Sequence, residues 1–222
     1  MRHFTEAATP VIAKADQKDM FDDLPGIMYR AFTASHEQAE IEFSNRFGRE
    51  PDYPYPIDVD TCWRLFLAEL DVRSENAWEY GEGDEGAEEH RLLNDLVEHY
   101  RQAHQKARRD YIATFLTEAG LTQKAFASTL GHTENQVSTW RKGWSCDEDA
   151  VVPDWLIVWC TLWQEAPEEL RRRITEQTTA DQWLPEHDPL PRSWVGRWSE
   201  LLLALPPDRQ PDMLHHIRMI VD

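Results

Sequence analysis

The feature that most constrains the fold is a glycine between two short helical patterns in the middle of the chain. Gly131 follows the pattern Gln123–Leu130, and glycine ends a helix well because it adopts a left-handed backbone without strain. Thr122 is predicted to cap the start of the first helix. Thr133 is predicted to cap the second, with Gln136 completing a capping box. The stretch therefore predicts two short helices joined by a tight turn.

Apolar residues mark the faces on which these two helices are predicted to meet. Phe126 and Leu130 lie on one face of the first helix, and Val137 and Trp140 lie on one face of the second. The small side chain of Ala127 lets the two helices approach closely. An upstream helix is predicted to pack against the pair through Tyr111, Ile112, Phe115 and Leu116.

The rest of the chain shows helical periodicity and no strand pattern. The N-terminal part is predicted to form helices over 19–32, 35–47 and 59–70. The acidic, glycine-rich segment 74–89 is interpreted as a solvated linker, with DNA mimicry or cation binding as alternatives. A long helix is predicted over 90–109, and a C-terminal helical pair over 193–205 and 213–221.

Charge is distributed unevenly along the chain, whose formal net charge is −18. Residues 1–100 contain 9 Lys and Arg against 23 Asp and Glu, and residues 146–222 contain 7 against 15. Residues 101–145 contain 7 basic against 3 acidic residues, so only this middle part is basic. Phosphate binding depends on the local field, so a basic segment in an acidic protein can bind nucleic acid.

The central segment resembles the Cro/repressor-type helix-turn-helix family, also called xenobiotic-response-element-like. The resemblance covers about 70 of the 222 residues, including a helix that follows Pro153 and another at 167–170. The residues that carry it are Leu121, Thr122, Gln123, Lys124, Ala127, Leu130, Gly131, Val137, Ser138, Trp140, Lys142 and Gly143.

The expected fold class is thus all-α, with a lambda-repressor-like helix-turn-helix domain. Three domains are predicted: an acidic helical N-terminal domain over 1–85, the long helix and helix-turn-helix over 86–180, and a C-terminal helical pair over 181–222.

The resemblance implies that the second helix of the motif enters the major groove of DNA. Asn135 can pair with adenine through two hydrogen bonds, while Ser138 and Thr139 can make single polar contacts. Glu134 either accepts from a cytosine amino group or is repelled by phosphate. The DNA-binding residues expected are Gln123, Lys124, Thr133, Glu134, Asn135, Ser138, Thr139, Arg141 and Lys142.

No catalytic constellation, cofactor motif or metal-ligand spacing emerges, so an enzyme is not expected. Trp155, Trp159 and Trp163 recur along one helix face and are interpreted as core or subunit interface, with an aromatic ligand box as the alternative. The three cysteines are widely spaced, which predicts a reducing cytoplasm. No secretory signal or membrane span is expected.

These observations predict a sequence-specific, DNA-binding transcriptional regulator, a repressor that binds double-stranded DNA as a homodimer. The alternative is an acidic interaction protein, an antitoxin-like factor or nucleic-acid mimic, that binds a basic protein partner. The charge of residues 1–100 supports this alternative.

Overall fold

A computed structural model describes residues 24–53, 55–81, 83–142, 151–181 and 192–221 of the protein. Within these ranges the chain forms nine helices and no strand, which confirms the all-α prediction for this part. The helices are α1 Leu24–Phe47, α2 Pro56–Tyr80, α3 Gly83–Glu118, α4 Gln123–Leu130, α5 Glu134–Lys142, α6 Asp154–Glu165, α7 Glu168–Asp181, α8 Arg192–Ala204 and α9 Gln210–Val221. None of these helices has the length and apolar character that crossing a membrane requires.

The chain divides into two compact units, one up to Lys106 and the other from Ala107 onward. Helix α3 contributes its first part to the first unit and its last part to the second. The division into three domains at 1–85, 86–180 and 181–222 stays a prediction.

The N-terminal helix α1 is one continuous element where the sequence predicted two. It runs through Thr33 and Ala34 without interruption. No proline or glycine separates the two predicted helices at this point, and alanine is the strongest helix former, so the helix continues. The predicted start at residues 19–23 lies outside the described residues.

The prediction of a solvated linker over 74–89 is wrong, because helices occupy residues 74–80 and 83–89. Gly81 and Gly86 allow the two helices to approach each other closely. A Cβ atom on Gly86 would lie 2.5 Å from both the Cα and the carbonyl carbon of Gly81. Only glycine at these two positions lets the backbones of α2 and α3 meet where the chain reverses direction.

The core of the first unit is built by α1, α2 and the first part of α3, and much of it is aromatic. Trp63 lies against Phe66 and Tyr100, with ring centroids 6.1 and 6.2 Å apart. The buried residues of this core are Ala39, Phe43, Cys62, Trp63, Phe66, Leu67, Leu70, Leu96, Val97 and Tyr100.

Two buried acidic residues in the first unit have basic partners. The carboxylate of Asp58 accepts from both terminal nitrogens of Arg49 and from the backbone N–H of Asp52. The Asp60 carboxylate lies 2.7 Å from Nε2 of His104, which is also buried. A buried carboxylate without such partners would be strongly destabilising.

The second unit is organised by a continuous column of aromatic rings. Phe126 of α4 lies between Phe115 of α3 and Trp159 of α6, with centroids 5.5 and 5.8 Å away. Trp159 in turn stacks on Trp163 at 4.9 Å. Both of these tryptophans are buried and Trp155 is partly buried, which confirms the interpretation of this stripe as core.

We expect Gly86→Ala to destabilise the first unit by about 1–3 kcal/mol, because the added methyl group would be forced into the Gly81 backbone. The matched control is Ala87→Ser at the exposed next position of the same helix, which we expect to be nearly neutral. Urea unfolding of both variants and the parent would measure the difference. Equal stability for Gly86→Ala and the parent would show that the two backbones do not approach this closely.

Candidate nucleic-acid interface

Helix α4 begins and ends as the local sequence predicts. The Thr122 hydroxyl accepts from the backbone N–H of Ala125 at 3.1 Å, which confirms the N-cap. Gly131 is left-handed, with φ 70° and ψ 23°. Its N–H donates to the Ser128 carbonyl at 3.2 Å, while the N–H of His132 donates to the Ala127 carbonyl at 2.9 Å. This pair of bonds is a Schellman motif, which satisfies carbonyls at the end of the helix.

Helix α5 starts at the predicted cap, with one difference in the capping box. The Thr133 hydroxyl accepts from the backbone N–H of Gln136 at 3.2 Å, as expected. The Gln136 side chain instead reaches His132, whose Nδ1 lies 3.1 Å from Oε1. The His132 ring stacks on Trp155 at 5.4 Å and meets the edge of Trp140 at 5.2 Å. The turn is therefore packed onto the rest of the unit by an aromatic cluster that the sequence did not indicate.

The buried faces of α4 and α5 agree with the sequence pattern. The residues predicted to meet between these helices, Phe126, Ala127, Leu130, Val137 and Trp140, are all buried. We call α4, the turn and α5 together the short helical pair.

The nine predicted DNA-binding residues occupy one end of α4 and the length of α5. Gln123, Ser138 and Thr139 are partly buried. The other six are exposed: Lys124, Thr133, Glu134, Asn135, Arg141 and Lys142. The Thr139 hydroxyl donates to the Asn135 carbonyl at 3.0 Å, so its proton is used within the helix. The roles of all nine in DNA contact stay predictions.

Gln123 connects the start of α4 to both ends of α5. Its side-chain amide donates to the Glu134 carbonyl at 3.1 Å, and its Oε1 accepts from the guanidinium of Arg141 at 2.8 Å. The sequence predicted a DNA contact for Gln123. The structure shows that the side chain also fixes the position of α5 relative to α4.

The charges on α5 are arranged favourably for the helix. Glu134 lies in the first turn, and Arg141 and Lys142 lie in the last. The negative charge of Glu134 lies at the positive N-terminal end of the helix dipole, and the positive charges lie at its negative C-terminal end. Both arrangements stabilise α5. The exposed basic side chains Lys124, Arg141 and Lys142 outnumber the one exposed acid, Glu134, on the short helical pair.

Arg197 of α8 is a residue of this region that sequence analysis missed. It is buried, and its guanidinium donates to the carbonyl of Thr129 near the C-terminal end of α4 at 3.3 Å. A cation at this end of a helix is stabilised by the helix dipole. Arg197 lies 68 residues from Thr129 in sequence, so no local pattern could have indicated the contact.

The cysteine thiols described by the structure are poor nucleophiles at neutral pH. Desolvation by burial, assisted by Asp58 and Glu40, raises the pKa of Cys62 to about 12. Burial likewise holds the pKa of Cys160 well above its usual value. Within the described part of the chain, no three His, Cys, Asp or Glu side chains are grouped so that they could hold a metal ion.

Comparisons of the chain with protein-family models, with curated proteins and with solved structures give no significant match. The resemblance to the Cro/repressor-type family therefore stays a prediction, based on the residues of the central segment.

We expect Gln123→Ala to lower the free energy of unfolding of the second unit by about 0.5–1.5 kcal/mol, because two hydrogen bonds to α5 are lost. Lys124→Ala, at the exposed next position, is the control and should change stability by less than about 0.5 kcal/mol. Thermal unfolding followed by circular dichroism would compare them. If both variants melted like the parent, the link between α4 and α5 would contribute no stability.

Proposed function

We propose that this protein is a sequence-specific DNA-binding transcriptional regulator whose short helical pair acts as a helix-turn-helix. The observation that carries the proposal is the two-sided character of α5. The side of this helix that carries Val137 and Trp140 is buried, while the polar side chains of the opposite side remain accessible. A helix anchored in this way can be inserted into a groove without loss of its packing.

The accessible side of α5 has the composition that base recognition requires. At about 100° per residue, Asn135, Ser138, Thr139 and Lys142 cluster on the side opposite the buried pair. The major groove admits an α-helix and presents a distinct pattern of donors and acceptors for each base pair. Asn135 occupies the first turn, from which side chains of recognition helices contact bases.

Basic residues beside this face supply phosphate contacts. Lys124 is the second residue of α4, and Lys142 is the last residue of α5. Arg141 is held in place by Gln123, so less side-chain entropy is lost when it binds a phosphate. These contacts account for DNA affinity in a chain that is acidic as a whole.

We propose further that the protein is a non-enzymatic repressor that acts in the cytoplasm as a homodimer. One recognition helix covers half a site, and a two-fold dimer spans half-sites separated by about 34 Å. The Trp159 and Trp163 side chains are buried in the core of the subunit, so they are not accessible for a dimer contact. Leu203 of α8 and Leu214 of α9 remain exposed, which favours the C-terminal pair as the dimer contact.

Selection of bound sequences from random double-stranded DNA, followed by affinity measurements at several salt concentrations, tests this function. The proposal requires enrichment of a palindrome and an affinity that falls steeply with salt. Absence of DNA binding even at low salt, together with tight binding to a basic protein, would contradict it and favour the acidic interaction protein.

Asn135→Ala is expected to weaken binding to the selected site by about 1–3 kcal/mol and to relax the preference at one base pair. Its position on the accessible first turn of α5 is the reason. The control is Asn45→Ala, at an exposed position of α1 in the first unit, which should leave both affinity and preference unchanged. A selection that returns the parental motif for Asn135→Ala would remove this residue from base recognition.

Lys142→Ala is expected to weaken all DNA sequences about equally and to lower the salt slope by about one unit. The reason is its position in the last turn of α5, beside Arg141, where phosphates are closer than bases. Arg46→Ala on α1 removes one positive charge from an exposed position of the first unit and serves as the control. A changed base preference in Lys142→Ala would show that its contact is with a base.

A further inference from the structure

The first unit contains a cleft that has no role in the proposed DNA binding. It is lined by residues of α2 and α3 near the point where the two helices meet, and its volume is about 380 Å³, within the usual range of ligand sites. Ala77 and the buried Leu93 give its wall an apolar part. Tyr80 also lines it, although 72% of this residue is exposed. An aromatic side chain that is exposed beside an apolar cleft is a feature of interaction sites.

The charges of the cleft favour a cationic occupant. Among the described residues of its lining, Arg73 is the one base, and its Nε lies 3.0 Å from a carboxylate oxygen of Glu69, with which it forms an ion pair. Glu89 adds an exposed carboxylate to the lining. Glu75 and Glu79 are further exposed carboxylates on α2 near the cleft, whereas Glu88 on α3 is paired with Arg91. The described side chains at and beside the cleft therefore carry more negative than positive charge, which attracts a cation.

We propose that this cleft receives an arginine side chain from a basic segment of a partner protein. The aliphatic stem of arginine matches the apolar wall formed by Ala77 and Leu93, since long basic side chains bury their stems and keep their heads in water. The guanidinium group then meets Tyr80 and Glu89, an aromatic ring and a carboxylate that both bind it favourably. The inference is independent of DNA binding, because none of these residues belongs to the short helical pair.

The test uses the full chain and a capped hexa-arginine peptide, with hexa-citrulline as an uncharged peptide of similar shape. Calorimetry at about 150 mM salt, where exposed charges are screened beyond about 8 Å, reduces non-specific attraction. We expect hexa-arginine to bind and hexa-citrulline not to bind. Tyr80→Ala and Glu89→Gln should each weaken binding of hexa-arginine about threefold, and the double variant about tenfold.

Two controls separate the cleft from general effects. Ile41→Ala removes an exposed apolar side chain from α1, and Glu165→Gln removes one exposed acidic charge from the second unit. Both should bind the peptide like the parent, and all four single variants should bind DNA like the parent. The proposal would be overturned if Glu165→Gln and Glu89→Gln lost equal affinity, or if the peptide did not bind at all. It would also be overturned if the cleft bound phenylacetate, an aromatic anion, but did not bind phenethylamine, an aromatic cation.

Discussion

The second unit depends above all on the contacts of one ring, that of Phe126. This side chain is fully buried between Phe115 and Trp159 and so joins α4 to the helices on both sides of it. Aromatic pairs of this geometry contribute about 0.5–1.5 kcal/mol each beyond their area of burial. Because α4 is fixed in this way, its link through Gln123 can in turn fix α5. The accessible face of α5 is therefore presented by a rigid support, which is what a recognition surface needs.

The first unit depends on a different kind of constraint, the pairing of buried charges. Asp58 is fully buried, and Arg49 binds both of its carboxylate oxygens. The same guanidinium lies over the rings of Phe43 and Phe47 at 5.2 and 5.9 Å, so it also contributes cation–π contacts. Such an ion pair adds little net stability, but loss of either partner would leave an uncompensated charge. The pairing accordingly specifies how α1 and α2 pack.

The two proposed interaction surfaces differ in the sign of charge that they favour. The short helical pair presents basic and polar side chains, whereas the cleft of the first unit lies in an acidic part of the chain. An acidic region on a DNA-binding chain weakens non-specific attraction to phosphate and increases the relative weight of specific contacts. A chain of net charge −18 can therefore contain both surfaces.

The sequence alone determined the features whose causes lie within a few residues: the helical class, the caps at Thr122 and Thr133, the left-handed turn at Gly131, and the buried faces of α4 and α5. Tertiary structure decided the rest. The contacts of Gln123 with Arg141 and of Arg197 with Thr129 join residues 18 and 68 positions apart, and no local pattern encodes them. The segment 74–89 was misjudged for the same reason. Its composition resembles a linker, but the close approach of Gly81 and Gly86, which only folding of α2 against α3 creates, makes it part of a helical hairpin.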